Sequence, residues 1–217
     1  MKPFIEICAV SPELCAEAWA RGARRVELCR QLDVGGLTPS YAEIRAAREA
    51  APQLAINVLV RPRAGDFVYT KSEQEIMFRD IEACQKAGVN GVVLGCLRSD
   101  GSLDYDLLKA FCSAAGQGGQ KPLSVTFHRA IDAARDPLGE LRSIKDCGCE
   151  RILSSGGKNS AEYGTALLKQ MVELGRACGL AIMPGGGIRA SNLPKIAQET
   201  GAAEFHSSSL EVLDVEL

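Results

Sequence analysis

Two short apolar runs near the start of the chain each carry a carboxylate and a thiol at the same spacing: Glu6 with Cys8, and Glu27 with Cys29. Alternate residues of a β-strand point to one face, so each pair projects together. Three later runs end in or near basic side chains, Arg61, His128 and His206. Carboxylates, an imidazole and a guanidinium converging on one interior can hold a bound anion and move its protons. Glu6, Glu27, Arg61, His128 and Asp132 are therefore the catalytic candidates. The competing reading is a satisfied ionic plug, with Glu6 and Glu27 facing Arg61 and His128. Two thiols in phase on neighbouring strands, about 4.8 Å apart, suit a soft, low-coordinate ion such as Cu(I). From spacing alone they suit two small buried residues near the mouth better. Cys8 and Cys29, with His206 assisting, are the metal candidates.

The segments after these runs add anion chemistry. Arg61-Pro62-Arg63-Ala64-Gly65-Asp66-Phe67 offers two guanidinium forks for an oxyanion, or a loop held by an arginine–Asp66 pair. Asp132, four residues after His128, can orient an imidazole or Arg129, or cap the segment that follows. Ser154-Ser155-Gly156-Gly157, Pro184-Gly185-Gly186-Gly187-Ile188 and Ser207-Ser208-Ser209 each follow an apolar run. Backbone amides in such loops cradle oxyanions. Arg63, Ser155, Gly156, Gly185, Gly186, Gly187 and Ser207 are thus the anion-binding candidates, although tight turns need glycine in any case.

The elements that position these groups alternate strictly. Strand patterns cover Phe4 to Cys8, Arg25 to Cys29, Ala55 to Arg61, Gly91 to Cys96, Leu123 to His128, Glu150 to Ser154, Leu180 to Met183, and Ala203 to Ser207. Amphipathic stretches lie between them: Pro12 to Arg21, Tyr41 to Ala50, Ser72 to Ala87, Asp104 to Ala115, Pro137 to Asp146, Ala161 to Cys178 and Ala190 to Thr200. Cap signals include Ser11-Pro12, Thr38-Pro39-Ser40, Ser72 with Glu75, Asp136-Pro137 and Ser191. Such β–α alternation argues an α/β fold with a parallel sheet. Eight strands argue closure into a TIM (β/α)₈ barrel. An open doubly wound sheet is the alternative, and it lacks the G-x-G-x-x-G that would favour it. Ile5, Ile7, Val26, Leu28, Val125, Phe127 and Phe205 occupy the phase that must face helices, which turns the polar set inward. Purely structural barrel interiors favour Val, Ile and Leu, so the polar set reads as a site at the C-terminal mouth. Only Leu210 to Leu217 follow the eighth strand, so the eighth helix is expected to be missing or truncated. One domain over residues 1–217 is expected.

Composition narrows the partners. Of 217 residues, 46% are hydrophobic and 24% charged, with a formal net charge of −2. That suits a sizeable core and gives no basic run for nucleic acid. No apolar stretch approaches the roughly 20 residues of a membrane span, and a strand pattern starts where an export signal would lie. A cytoplasmic protein is expected, with its nine cysteines mostly reduced and buried. Cys147-Gly148-Cys149 reads as a helix-end loop rather than a metal clip.

The residues collected here resemble the CutC copper homeostasis protein family over nearly the whole chain. The likeness is carried by Arg25-Val26-Glu27-Leu28-Cys29, Gly35-Gly36-Leu37-Thr38-Pro39-Ser40, Arg61-Pro62-Arg63-Ala64-Gly65-Asp66-Phe67, Thr126-Phe127-His128-Arg129-Ala130-Ile131-Asp132, Pro184-Gly185-Gly186-Gly187 and Glu204-Phe205-His206-Ser207-Ser208. The resemblance implies a TIM barrel, a cytoplasmic location and a role in handling copper, with the family's proposed Cu(I) ligands falling on Cys8 and Cys29. Ala64 and Ile131 depart mildly from the family's usual Gly and Phe, and family members usually continue into a closing helix. Two functions follow as expectations. One is a copper(I)-binding homeostasis protein. The other is an enzyme on a small phosphorylated or carboxylated metabolite. A homo-oligomer is expected in either case.

Overall fold

Local capping chemistry sets most of the helix starts. In the computed structural model, which describes residues 3–117 and 121–216, α1 (Pro12–Ala20) begins at Ser11, whose side chain accepts from the Leu14 amide. At α2 (Tyr41–Ala50) and α3 (Lys71–Ala87), Ser40 with Glu43 and Thr70 with Glu73 form reciprocal capping boxes. The α3 box thus lies two residues before the Ser72–Glu75 pair that shows the same pattern. Glu73 wins because it also satisfies Arg63. The remaining helices are α4 (Tyr105–Gly116), α5 (Glu140–Cys147), α6 (Thr165–Cys178) and α7 (Leu193–Thr200). The last three start later than their amphipathic patterns. A turn precedes each: Asp136 accepts from Gly139, a 3-10 turn covers Ala161–Tyr163, and Asn192 accepts from Arg189. Cys147 ends α5 and Gly148 caps it, as a helix-end reading of the C-x-C requires.

The strands are β1 (Phe4–Ala9), β2 (Arg25–Leu28), β3 (Ala55–Leu59), β4 (Gly91–Leu94), β5 (Ser124–Phe127), β6 (Arg151–Ser154), β7 (Ala181–Pro184) and β8 (Glu204–Ser207). All pair in parallel, in the order β7-β6-β5-β4-β3-β2-β1-β8. One parallel bridge, Gly185 to His206, joins the two ends into a barrel. After β8 a 3-10 turn, Leu210–Asp214, stands where an eighth helix follows in such barrels. It buries Val212 and ties Asp214 to Arg21 at 2.6 Å.

Strand parity divides the buried residues into two cores. Ile5, Ile7, Val26, Leu28, Val58, Val125, Phe127 and Phe205 pack outward against Ile44, Met77, Phe111, Ile144, Met171 and Ile196 of the helices. Each such side chain contributes roughly 1.5–3 kcal/mol by leaving water. A separate small cluster, Cys8, Cys29, Leu59 and Val93, lies inside the barrel.

Candidate functional site

The barrel interior is built in two levels. The floor is an ion-pair network. Glu6 stands opposite Arg25 on β2 and His206 on β8 in register. Arg25 Nε donates to Glu6 Oε2 at 2.6 Å, and Arg25 Nη2 donates to Glu204 Oε2 at 2.6 Å. Arg151 Nε donates to the same Glu204 oxygen at 2.6 Å. Asn57 Nδ2 adds a bond to Glu6 Oε2 at 3.2 Å, and His206 Nδ1 meets Glu6 Oε1 at 2.9 Å. Burial opposes ionisation of Glu6, but the His206 hydrogen bond and the Arg25 charge overcome it and bring its pKa down to about 2. Burial likewise opposes protonation of His206, yet the Glu27 charge and the Glu6 hydrogen bond move its pKa up.

The thiols lie on the level above. Cys8 pairs in register with Glu27 on β2, and Cys8 Sγ is 3.6 Å from Cys29 Sγ. Cys8, Glu27 and Cys29 each bring one donor atom within 4.8 Å of the others, and all are buried. The contact with Cys29, burial and the Glu27 charge together push the Cys8 thiol well up. Leu59 and Val93 flank the pair. Gly36, at φ +88°, lets the segment after β2 close over it. A Cβ there would lie 2.7 Å from Leu59 Cδ2 and 3.6 Å from Cys29 Sγ.

Above the thiols opens a cavity of about 260 Å³, walled by Cys8, Glu27, Arg61, His128, Arg129 and His206 among others. Glu27 is 5% exposed and its Oε2 has no partner. Burial raises its pKa to about 7 against the opposing charge of His206. His128 accepts from the Ala130 amide through Nδ1 at 3.1 Å. Burial and the Arg61 charge drive its pKa down to about 3. Arg61 donates to the carbonyls of Val34, Gly36 and Gly65.

The structure brings some sequence candidates to this cavity and takes others away. Glu27, Arg61, His128, Gly186, Gly187, Ser207 and His206 line it, as does Cys8. Glu6 does not. It is fully buried in the floor, and its cationic partner is Arg25 rather than Arg61. His206 shares a ligand-like cluster with Glu6 and Glu27, apart from the cysteine pair. Arg63 is committed to its own loop. It bonds Glu73 and Asp66 and the carbonyls of Ala64, Asp66 and Val68, so of the two guanidinium forks only that of Arg61 belongs to a residue lining the cavity.

Asp132 orients Arg129 at 2.9 Å, not the imidazole. It also accepts from Ser154 Oγ and from the amides of Ser155 and Gly157. The Gly156 amide bonds Ser154 Oγ. The turn after β6 is therefore satisfied internally, and Ser155 and Gly156 present no free amide cradle. Gly185 belongs to the closing bridge, and its amide donates to Ser154. The Ser207 hydroxyl donates to Ile188.

Sequence reasoning missed Arg25 and Arg151, the cations of the floor. The signal was present. Arg25, Glu27 and Cys29 share one parity, as do Arg151 and Leu153, and both arginines sit at the first residue of a strand.

Fold and site together define a parallel (β/α)-type barrel with an ionic floor, a buried thiol pair and a polar mouth. The chain belongs to the CutC family, whose model matches residues 4–211. The family protein CutC of Parabacteroides distasonis is 48% identical over 214 residues, covering 98% of this chain and 85% of the relative. That of Bacteroides fragilis is 45% identical, covering 97% and 82%. The crystal structure of a Streptococcus agalactiae protein named for copper homeostasis, CutC, superposes with a TM-score of 0.88 at 31% identity, covering 96% of this chain and 99% of that one. An aldolase at 11% identity and a TM-score of 0.73, covering 98% and 94%, shares the fold alone.

Proposed function

We propose that this chain is a copper homeostasis protein that carries Cu(I) as cargo on the thiolates of Cys8 and Cys29. The observation that carries the reading is the 3.6 Å Sγ–Sγ contact of two reduced, buried cysteines inside the barrel. Soft sulfur donors select Cu(I) over hard divalent ions. Leu59 and Val93 pack against the pair and leave it little exposed, which limits oxidation of the thiols. Cys8 holds its proton without metal, so binding must displace it. Glu27, within 4.8 Å of both sulfurs and with Oε2 unpartnered, stands where that proton can pass on its way out to solvent. The name of the Streptococcus agalactiae relative supports the same reading. A cytoplasmic setting, which keeps thiols reduced, belongs to it, and no described helix is long and apolar enough to cross a membrane.

The test is a competition titration with a Cu(I) chelator on wild type, Cys8→Ser and Cys29→Ser. Each substitution should abolish tight binding. Unchanged affinity in both variants would overturn the proposal.

A further inference from the structure

We propose that the mouth above the thiols is a second site, which binds the carboxylate or phosphate of a small metabolite through Arg61 and His128. Three buried polar atoms of residues around this one cavity have no protein partner: Arg61 Nε, His128 Nε2 and Glu27 Oε2. A buried polar group left unpaired costs about 1–3 kcal/mol, and such groups are few in a finished core. Their concentration around one space points to an absent partner that satisfies them together.

Two of the three are donors. Arg61 is 7% exposed and has no carboxylate partner among the described residues. Its bonds to Val34, Gly36 and Gly65 occupy three N–H groups of the guanidinium, leaving Nε–H and one Nη2–H of the five. His128 is 4% exposed. Its Nδ1 accepts from an amide, which can only donate, so the neutral ring carries its proton on Nε2. The low pKa of the ring keeps it neutral and a fixed donor. Phe67 packs against both groups, its centroid 4.9 Å from the imidazole and 5.1 Å from Arg61 Cζ.

These are hard N–H donors that match oxygen acceptors and bind no metal through a guanidinium. They therefore ask for a different ligand from the one the thiols take. Arg129, Gly186, Gly187 and Ser208 complete the walls. At about 260 Å³ the space is just under the roughly 300 Å³ at which drug-sized pockets begin, which suits a small metabolite. Glu27 lines the same space, and its unpartnered carboxylate oxygen supplies an acceptor beside it.

Selective labelling tests this directly, because the chain has two histidines. The metal-free protein with ¹⁵N-histidine is titrated separately with pyruvate, inorganic phosphate and uncharged glycerol, following the His128 Nε2–H signal assigned through His128→Asn. Saturable movement with at least one anion, and none with glycerol, is the expected result. Movement with pyruvate alone assigns a carboxylate, with phosphate alone a phosphate, and with both a general oxyanion site. Arg61→Lys, which keeps the charge and loses the fork, should weaken binding about tenfold. Should that variant fail to fold, calorimetry on His128→Asn must show a similar loss. A His128 signal unmoved by both anions, or moved equally by glycerol, overturns the proposal. The readout uses no metal, so it fails independently of the copper reading.

Discussion

Arg25 Nε donates to Glu6 Oε2 at 2.6 Å in the floor of the barrel, and the same guanidinium reaches Glu204 at 2.6 Å. One arginine thus compensates two carboxylates, on β1 and β8, across the strand at which the ring of eight is numbered. The floor is a completed ionic structure, and its groups are occupied with one another rather than with a ligand.

Arg25→Met should accordingly be among the costliest substitutions in the chain. It leaves Glu6 without its nearest cation and Glu204 with Arg151 alone. Breaking one partner from a buried pair costs about 3–5 kcal/mol. Urea unfolding should show a loss of that order with an unchanged slope, and a loss below about 1 kcal/mol would mean that the floor is not held by this pair.

Copper affinity should rise with pH. Cys8 is protonated in the metal-free protein, so every ion bound displaces at least one proton, and affinity changes about tenfold per pH unit for each proton displaced. Competition titrations at pH 6.5 and pH 8.5 measure the slope. A flat profile would show that Cys8 does not ligate as a thiolate.

His128 makes stability fall on acidification. Its pKa lies near 3 in the fold against an ordinary 6.5. Between those values the unfolded chain binds a proton that the folded chain refuses, so stability is lost as pH falls from about 6.5 to 3, by roughly 1.4 kcal/mol per pH unit at most. Above 6.5 the group contributes no pH dependence. From pH 6 to pH 4 the wild type should lose about 2–3 kcal/mol more than His128→Asn, measured by urea midpoints. Equal losses in the two proteins would remove this assignment.

Gly95→Ala should displace the same imidazole. A Cβ at that position would lie 2.6 Å from His128 Nδ1 and 3.1 Å from Ala130 Cβ. Overpacking of this kind costs about 1–3 kcal/mol. The ¹⁵N spectrum should also show a changed Nδ1 environment for His128 with His206 unmoved. An unaltered His128 signal would mean that the ring has room to spare.

Strand parity makes much of this architecture legible in the sequence. The inward phase of Glu6, Cys8, Glu27, Cys29, Asn57 and His128 follows from single-residue alternation, which a parallel strand cannot break without a bulge. Parity alone, however, gives no height along the barrel axis. Glu6 and Glu27 look equivalent in sequence, yet one lies in the floor and the other at the mouth, because the strands pair with a stagger that sets Glu6 opposite Arg25 and Cys8 opposite Glu27. Loop roles were harder to read for a related reason. Arg63 and Asp132 have side chains long enough, or loops free enough, to choose among several partners, and the choice depends on three-dimensional neighbours such as Glu73 and Ser154. Residue type identified the chemistry available, and register decided which groups use it on each other.

The closing bridge between Gly185 and His206 has a mechanical meaning. Elsewhere around the ring the ladders run from two register pairs, between β5 and β6, to four, as between β6 and β7 or β1 and β8. The β7–β8 junction rests on a single bridge, so the barrel resembles a sleeve with one lightly stitched seam. Both sides of that seam reach the mouth, through Gly186 and Gly187 on one edge and His206 and Ser207 on the other. Backbone breathing that parts this stitch widens the entrance while the ladders around the floor stay intact. Amide exchange should therefore be fastest along this line of the sheet, making the doorway the softest part of an otherwise stiff container.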